Sequence, residues 1–147
     1  MDTRIREINT EDPAYPLVWE LRDAVLRRPL GHSLHNDDTS HDHLERIFIA
    51  EDNTNRVVAC VMLRPLPESA FKLRQMAVLP EVQGSGIGKK LVEAAEAAVW
   101  ASGAKRIEMH ARAVVLPFYE KLGYVAEGET FSEVGIAHRF MQKIRRA

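Results

Sequence analysis

The chain has one cysteine, Cys60, among 147 residues, so no internal disulfide can form. Cys60 stands in the apolar run Val57 to Leu63, where a buried, inert strand thiol is expected rather than a nucleophile. No apolar run reaches the roughly 18 residues a membrane span needs, and the opening MDTRIREINTED has no apolar signal core. No membrane partner is therefore read, and the cytoplasm is the expected compartment. Charge of one sign is lacking too. A net charge of −1 removes the electrostatic case for binding nucleic acid or an anionic lipid surface. Lys143, Arg145 and Arg146 make only a small basic tip, read as solvated. There is no internal repeat, linker or low-complexity segment. What remains is 46% apolar and 28% charged, the composition of one globular domain with one sizeable core, spanning residues 1–147.

Periodicity divides the chain into short elements. Arg4 to Ile8 alternates weakly as a first strand. Between Pro16 and Pro29 the apolar residues Leu17, Leu21, Ala24 and Val25 recur at helical spacing. Glu45 to Ala50 and Val57 to Leu63 read as strands joined through the turn residues 51–55. Pro65 and Pro67 mark the next turn, before a strand from Phe71 to Val78. A helix from Ile87 to Ser102 ends at Gly103, a strand runs from Arg106 to Ala111, and two last strands run from Tyr124 to Glu127 and from Ile136 to Ile144. This order predicts an α+β domain with a mixed sheet. The polar segment GHSLHNDDTSHDH, residues 31–43, holds four of the six histidines. Its spacings match no zinc pattern and it contains no cysteine, so no metal is expected and a solvated loop is read.

Between the fourth strand and its helix lies Gln83-Gly84-Ser85-Gly86-Ile87-Gly88. Strand, glycine loop and helix N-terminus together make an anion site, because glycines let the backbone approach a phosphate and the first-turn N–H groups point at it. A phosphate-binding Walker loop fails here: Gln83 stands where its first glycine belongs and Lys90 where its Ser or Thr belongs. A dinucleotide loop fails at Lys89, where its third glycine would be.

The pattern that fits is Q/R-x-x-G-x-G/A, carried by Gln83, Gly86 and Gly88. It resembles the coenzyme A pyrophosphate loop of the GNAT superfamily of N-acetyltransferases. Downstream, Phe118-Tyr119-Glu120-Lys121-Leu122-Gly123-Tyr124 resembles the short GNAT helix that ends at a glycine turn, and the similar region covers roughly residues 45 to 125. The resemblance implies a GNAT-like, mostly antiparallel sheet of six to seven strands with about four helices. Two central strands would splay to form the coenzyme cleft.

It also implies roles. Acetyl-CoA would be the cosubstrate, held by Gln83, Gly84, Ser85, Gly86, Ile87, Gly88 and Lys89. Its pantetheine arm would lie along Met76 and Val78, with an N–H near Ala77 aimed at the thioester carbonyl; such a donor is typically worth ~3 kcal/mol. Tyr119 matches the family's general acid and would protonate the thiolate. The central strand offers Gln75 where many relatives carry a glutamate base, which leaves Glu20, His110 and His138 as candidates. Arg28, His32, His35 and Gln75 are candidate acceptor contacts. The expected activity is acetyl transfer to an amine of a small molecule or protein, by direct attack on the thioester. A coenzyme-binding sensor without turnover is the alternative, and dimerisation is left open.

Overall fold

A computed structural model of the chain describes residues 2–145. Its strands are β1 (Thr3–Ile8), β2 (Arg46–Asp52), β3 (Val57–Leu66), β4 (Ala70–Val78), β5 (Arg106–Arg112), β6 (Val125–Glu133) and β7 (Ile136–Ile144). They form one seven-stranded sheet in the order β1-β2-β3-β4-β5-β7-β6. The helices are α1 (Tyr15–Arg22), α2 (Ile87–Ala101) and α3 (Leu116–Lys121). The class and the mixed, mostly antiparallel sheet are as expected, but there are three α-helices among the described residues rather than about four. Where a fourth would lie, the chain makes only 3-10 turns, at Leu34–Asn36 and Asp42–Leu44. Ser33, Asp38 and Ser40 account for this locally. The Ser33 hydroxyl accepts from the His35 N–H at 3.2 Å, and Asp38 Oδ1 from the Ser40 N–H at 3.0 Å, so side chains compete with helical bonding.

Both sheet faces are covered. α2 buries Leu91, Val92, Ala95 and Val99 against Leu63, Leu73, Ile107 and Met109. α1 buries Val18 and Leu21 on the opposite face against Ile47, Ile49, Cys60 and Met62. Cys60 is buried as expected, and burial pushes its thiol up to about 12. Lys143 is not solvated: its ammonium donates to Glu96 Oε1 at 3.1 Å and to the Leu122 carbonyl at 2.7 Å, tying β7 to α2 and the end of α3. Arg145 donates to the Trp100 carbonyl at 3.0 Å, and Arg146 lies outside the described residues.

The turn expected at Pro65 falls later, because β3 continues to Leu66 with Pro65 opposite Phe71. A proline near a strand end can forgo its ladder donor. β6 runs on to Glu133, well past Glu127, since a register shift between Glu127 and Phe131, with Gly128 at φ 75°, interrupts the alternation that marks a strand.

The feature that positions the site is the parting of β4 and β5. These two strands run parallel and pair only over Ala70–Lys72 against Arg106–Glu108. Just beyond, β4 bulges: Gln75 has φ 53° and the β3 register shifts between Cys60 and Met62. The extra residue puts Arg74 and Gln75 on one face, where Gln75 Oε1 accepts from Arg22 Nε at 3.2 Å. Arg22, only 1% exposed, also donates from Nη1 to Asp42 Oδ2 at 2.6 Å, and the Tyr15 hydroxyl donates to the same oxygen at 2.5 Å. Burial, then the bond to Asp42, pushes the Tyr15 phenol up to about 12. So the polar segment 31–43 is not a free loop. Asp42 and the fully buried Leu34 pin it to α1 and to the bulge.

Removing one partner of such a pair strands the other charge in the interior. Arg22→Met should therefore lower stability by ~3 kcal/mol in urea unfolding, and Arg22→Met with Asp42→Leu should recover most of the loss. An unmoved midpoint in the single variant would show that the pair does not hold the bulge.

Candidate active site

From Val78 the chain passes through a 3-10 turn at Pro80–Val82 into the glycine loop and then α2. Gly84 and Gly86 have φ of 81° and 86°, a region where any other residue is strained. Gly86 caps α2 without a side-chain bond, and the first intrahelical bond runs from the Lys90 N–H to the Gly86 carbonyl at 3.2 Å. The N–H groups of Ile87, Gly88 and Lys89 therefore have no partner within the helix. Side chains of the loop turn back on it: Ser85 Oγ donates to the Val82 carbonyl at 2.5 Å and Gln83 Nε2 to the Val78 carbonyl at 3.0 Å. Gly88 lies where α2 meets β4 and α3, and a Cβ there would stand at ordinary contact distance, 3.4 Å from Met76 Cε and 3.5 Å from Phe118 Cζ.

The β4 edge facing the gap follows from the pleat. Leu79 donates its N–H to Val58 of β3 at 2.9 Å, and two residues earlier Ala77 lies opposite Cys60. Alternation then turns the backbone of Met76 and Val78 toward β5. The N–H expected near Ala77 is thus directed to β3, and those of Met76 and Val78 face the gap. Tyr119, on α3, is 5% exposed and packs edge-on against Phe118 and Tyr124, with ring centroids 5.0 and 5.8 Å away. Burial raises its phenol well above the ordinary value, which keeps it protonated at neutral pH.

On the α1 face a cavity of about 350 Å³ is lined by Arg27, His32, Ser33, Asn36, Asp37, Val134 and Gly135. His32 lines this cavity and Arg28 does not. Arg28 is 59% exposed and paired with Asp23 at 3.1 Å. After α1 the helix widens into a π turn at Asp23–Arg27, and the extra residue per turn brings Arg27 inward instead. Arg27 donates to both Asp37 oxygens, at 2.9 and 2.8 Å. Gln75 is held by Arg22, Glu20 is exposed, and His35 packs on Trp19 at 4.6 Å between centroids.

His110 and His138 come together, and with them a residue the sequence reading missed. Glu133 Oε1 lies 2.9 Å from His110 Nδ1, and Glu133 Oε2 lies 3.8 Å from His138 Nε2. His138 Nδ1 is 2.8 Å from the Ile136 carbonyl. Phe131 stacks on His138 at 6.0 Å and meets His110 edge-on at 5.1 Å. The available signal was Val134-Gly135, a two-residue hairpin loop between Glu133 and Ile136, hidden by the irregular strand before it. Among the described residues no group of three metal ligands is found.

Comparison with known proteins decides the family. The family described as "Acetyltransferase (GNAT) domain" matches residues 43–126, more than half the chain. The chain belongs to the GNAT acetyltransferases. It is similar to the uncharacterized N-acetyltransferase YitI of Bacillus subtilis strain 168, 30% identical over 93% of this chain and 92% of the relative. Its fold is that of Escherichia coli ElaA, with a TM-score of 0.85, 17% identity and coverage of 97% and 99%. A GNAT acetyltransferase of Elizabethkingia anophelis, whose structure has acetyl-CoA bound, superposes with a TM-score of 0.73, 16% identity and coverage of 97% and 98%. As a GNAT protein the chain is an acyltransferase of an acetyl-CoA-using family. The family match takes in the gap, the glycine loop and Tyr119, and leaves out Arg27, His32 and the β6–β7 turn that wall the cavity.

That turn is strained. Val134 has φ 47° and Gly135 φ 74°; both loop positions of such a hairpin need positive φ, which a β-branched residue resists. Val134→Asn should raise stability by about 1 kcal/mol, or roughly 4 °C in calorimetry for a domain of this size. A lowered midpoint would mean that the valine side chain contributes more by packing than its backbone costs.

Proposed function

We propose that this GNAT acetyltransferase moves an acetyl group from acetyl-CoA to an amine of a small molecule or a protein, the amine attacking the thioester directly. The observation that carries the reading is the open edge of β4 at Met76 and Val78, beside an uncapped glycine-rich helix start. An extended pantetheine arm supplies what such an edge lacks, hydrogen-bonding as an added strand. The coenzyme's phosphates suit the free N–H groups of Ile87, Gly88 and Lys89. A Met76 or Val78 N–H would then donate to the thioester oxygen as charge develops on it.

Tyr119 supplies the proton for the departing thiolate. Its raised phenol is a weaker acid than usual. The same dry surroundings disfavour a thiolate, however, and raise its proton affinity in step. His110 and His138 are the candidate bases, and the cavity at Arg27 and His32 is the acceptor site. A coenzyme-binding sensor remains the second reading, favoured by Gln75 standing where a base would be and being held by Arg22.

Acetyl-CoA at a hundred times its dissociation constant should stabilise the protein by about 2.7 kcal/mol, and Gly86→Trp should abolish that shift. Tyr119→Phe should lower kcat about 100-fold without changing the KM for acetyl-CoA. Because the Tyr119 phenol is raised, it stays protonated as pH climbs, so kcat should show no basic limb from it below pH ~10. A basic limb between neutrality and that value, lost in Tyr119→Phe, would contradict the burial argument. A thermal shift without thiol release across a panel of amines would favour the sensor.

A further inference from the structure

We infer that His110 is the base that deprotonates the acceptor ammonium, with Glu133 of β6 positioning it; this rests on the acetyl-transfer reading above. The β4–β5 ladder ends at Glu108. His110 is the next residue of β5 on the same face, so it stands where the gap opens, on the side that carries the cavity. That face brings together His110 and Arg112 of β5, His138 of β7, opposite Arg112, and Phe131 and Glu133 of β6, Phe131 being opposite His138. Glu133 adjoins Val134 and Gly135, which line the cavity. The residue that positions the base thus lies beside two that line the acceptor space.

The partners decide which nitrogen of His110 is free. Glu133 is a carboxylate: partial burial pulls its pKa up, but the hydrogen bond from His110 and the nearby charges of His110, His138 and Lys72 outweigh this and hold it below the ordinary value. A carboxylate only accepts, so Nδ1 of His110 carries the proton that bridges the 2.9 Å to Oε1. Nε2 is left with a lone pair. Phe131 against the ring edge restricts its rotation. His138 cannot do the same work. It is 4% exposed, its Nδ1–H is given to the Ile136 carbonyl, and its other nitrogen faces Glu133. The other charged groups facing this cluster are Arg27 from the π turn, Lys72 from β4, and Glu108 and Arg112 from β5 itself.

The proton account balances. His110 Nε2 takes one proton from the ammonium, and the freed nitrogen forms the new C–N bond as the C–S bond breaks. Tyr119 gives its proton to the thiolate and is restored by the second proton, which the acylated nitrogen loses. One proton leaves through His110 to solvent.

The test uses the full chain labelled with ¹⁵N-histidine, in wild type and Glu133→Ala. Glu133 is 46% exposed at its side chain, so this variant should fold. Ring-nitrogen NMR should find neutral His110 protonated at Nδ1 in wild type, and shifted toward Nε2–H in Glu133→Ala. In kinetics, His110→Gln should cut kcat for alkylamines about 100-fold and remove the acidic limb of kcat/KM. Acetyl transfer to hydroxylamine, already a free base at neutral pH, and the thermal shift with acetyl-CoA should both persist. Glu133→Ala should act in the same direction and Glu133→Asp should restore part of the loss. A wild-type His110 protonated at Nε2, or equal losses with alkylamines and hydroxylamine, would overturn the assignment while leaving acetyl transfer intact. Absence of any acetyl-CoA shift in wild type would instead overturn the acetyl-transfer reading, and the base role with it.

Discussion

The parting of β4 from β5 is the constraint around which this protein is arranged. Two parallel strands in mid-sheet that pair over three residues each and then diverge leave main-chain donors and acceptors facing a gap, and such groups are costly to leave unmet. A surface edge would meet water. An interior edge with a glycine-lined helix start at one end is suited to a ligand that is itself extended and ends in phosphates. Around that opening, Gly88 of α2 lies beside Met76 and Phe118, and Gln83 bonds the Val78 carbonyl.

The bulge that follows the last paired residues is held from the α1 face. The bulge at Gln75 would be an isolated irregularity if Arg22 did not reach it from α1, and Arg22 would be a buried unpaired charge without Asp42 and its Tyr15 bond. One network therefore fixes three things together: the direction of α1, the path of the histidine-rich segment, and the bend of β4. It couples the cavity-lining segment around His32 to the strand that borders the gap. The cost is a buried ion pair, and such pairs serve specificity of arrangement better than raw stability.

The sequence disclosed the regular parts and lost the irregular ones. The glycine loop and the Tyr119 helix were legible because their chemistry depends on a few residues close together. The strands were legible because Val57 to Leu63 and Phe71 to Val78 keep a period. Three misses trace to a local break in period. The π turn after α1 moved the inward arginine from 28 to 27. The phase of β4 beyond its bulge turned Ala77 toward β3 and left Met76 and Val78 facing the gap. The interruption at Gly128 hid the second half of β6, and with it Glu133. Glu133 and His138 flank one turn, but His110 stands 23 residues before Glu133, and only strand pairing brings it to them. Leu34 and Asp42 were hidden differently, as two buried residues in a segment whose composition is otherwise that of a solvated loop.

The central claim is that the open β4 edge is where the coenzyme lies. Amide hydrogen exchange resolved at single residues, with and without acetyl-CoA, tests it most directly. The account predicts that the Met76 and Val78 amides exchange readily in the free protein and become protected when acetyl-CoA binds. Ala77, turned to β3, should be slow in both states. Protection appearing at Ala77 alone, or binding that leaves Met76 and Val78 unprotected, would contradict it.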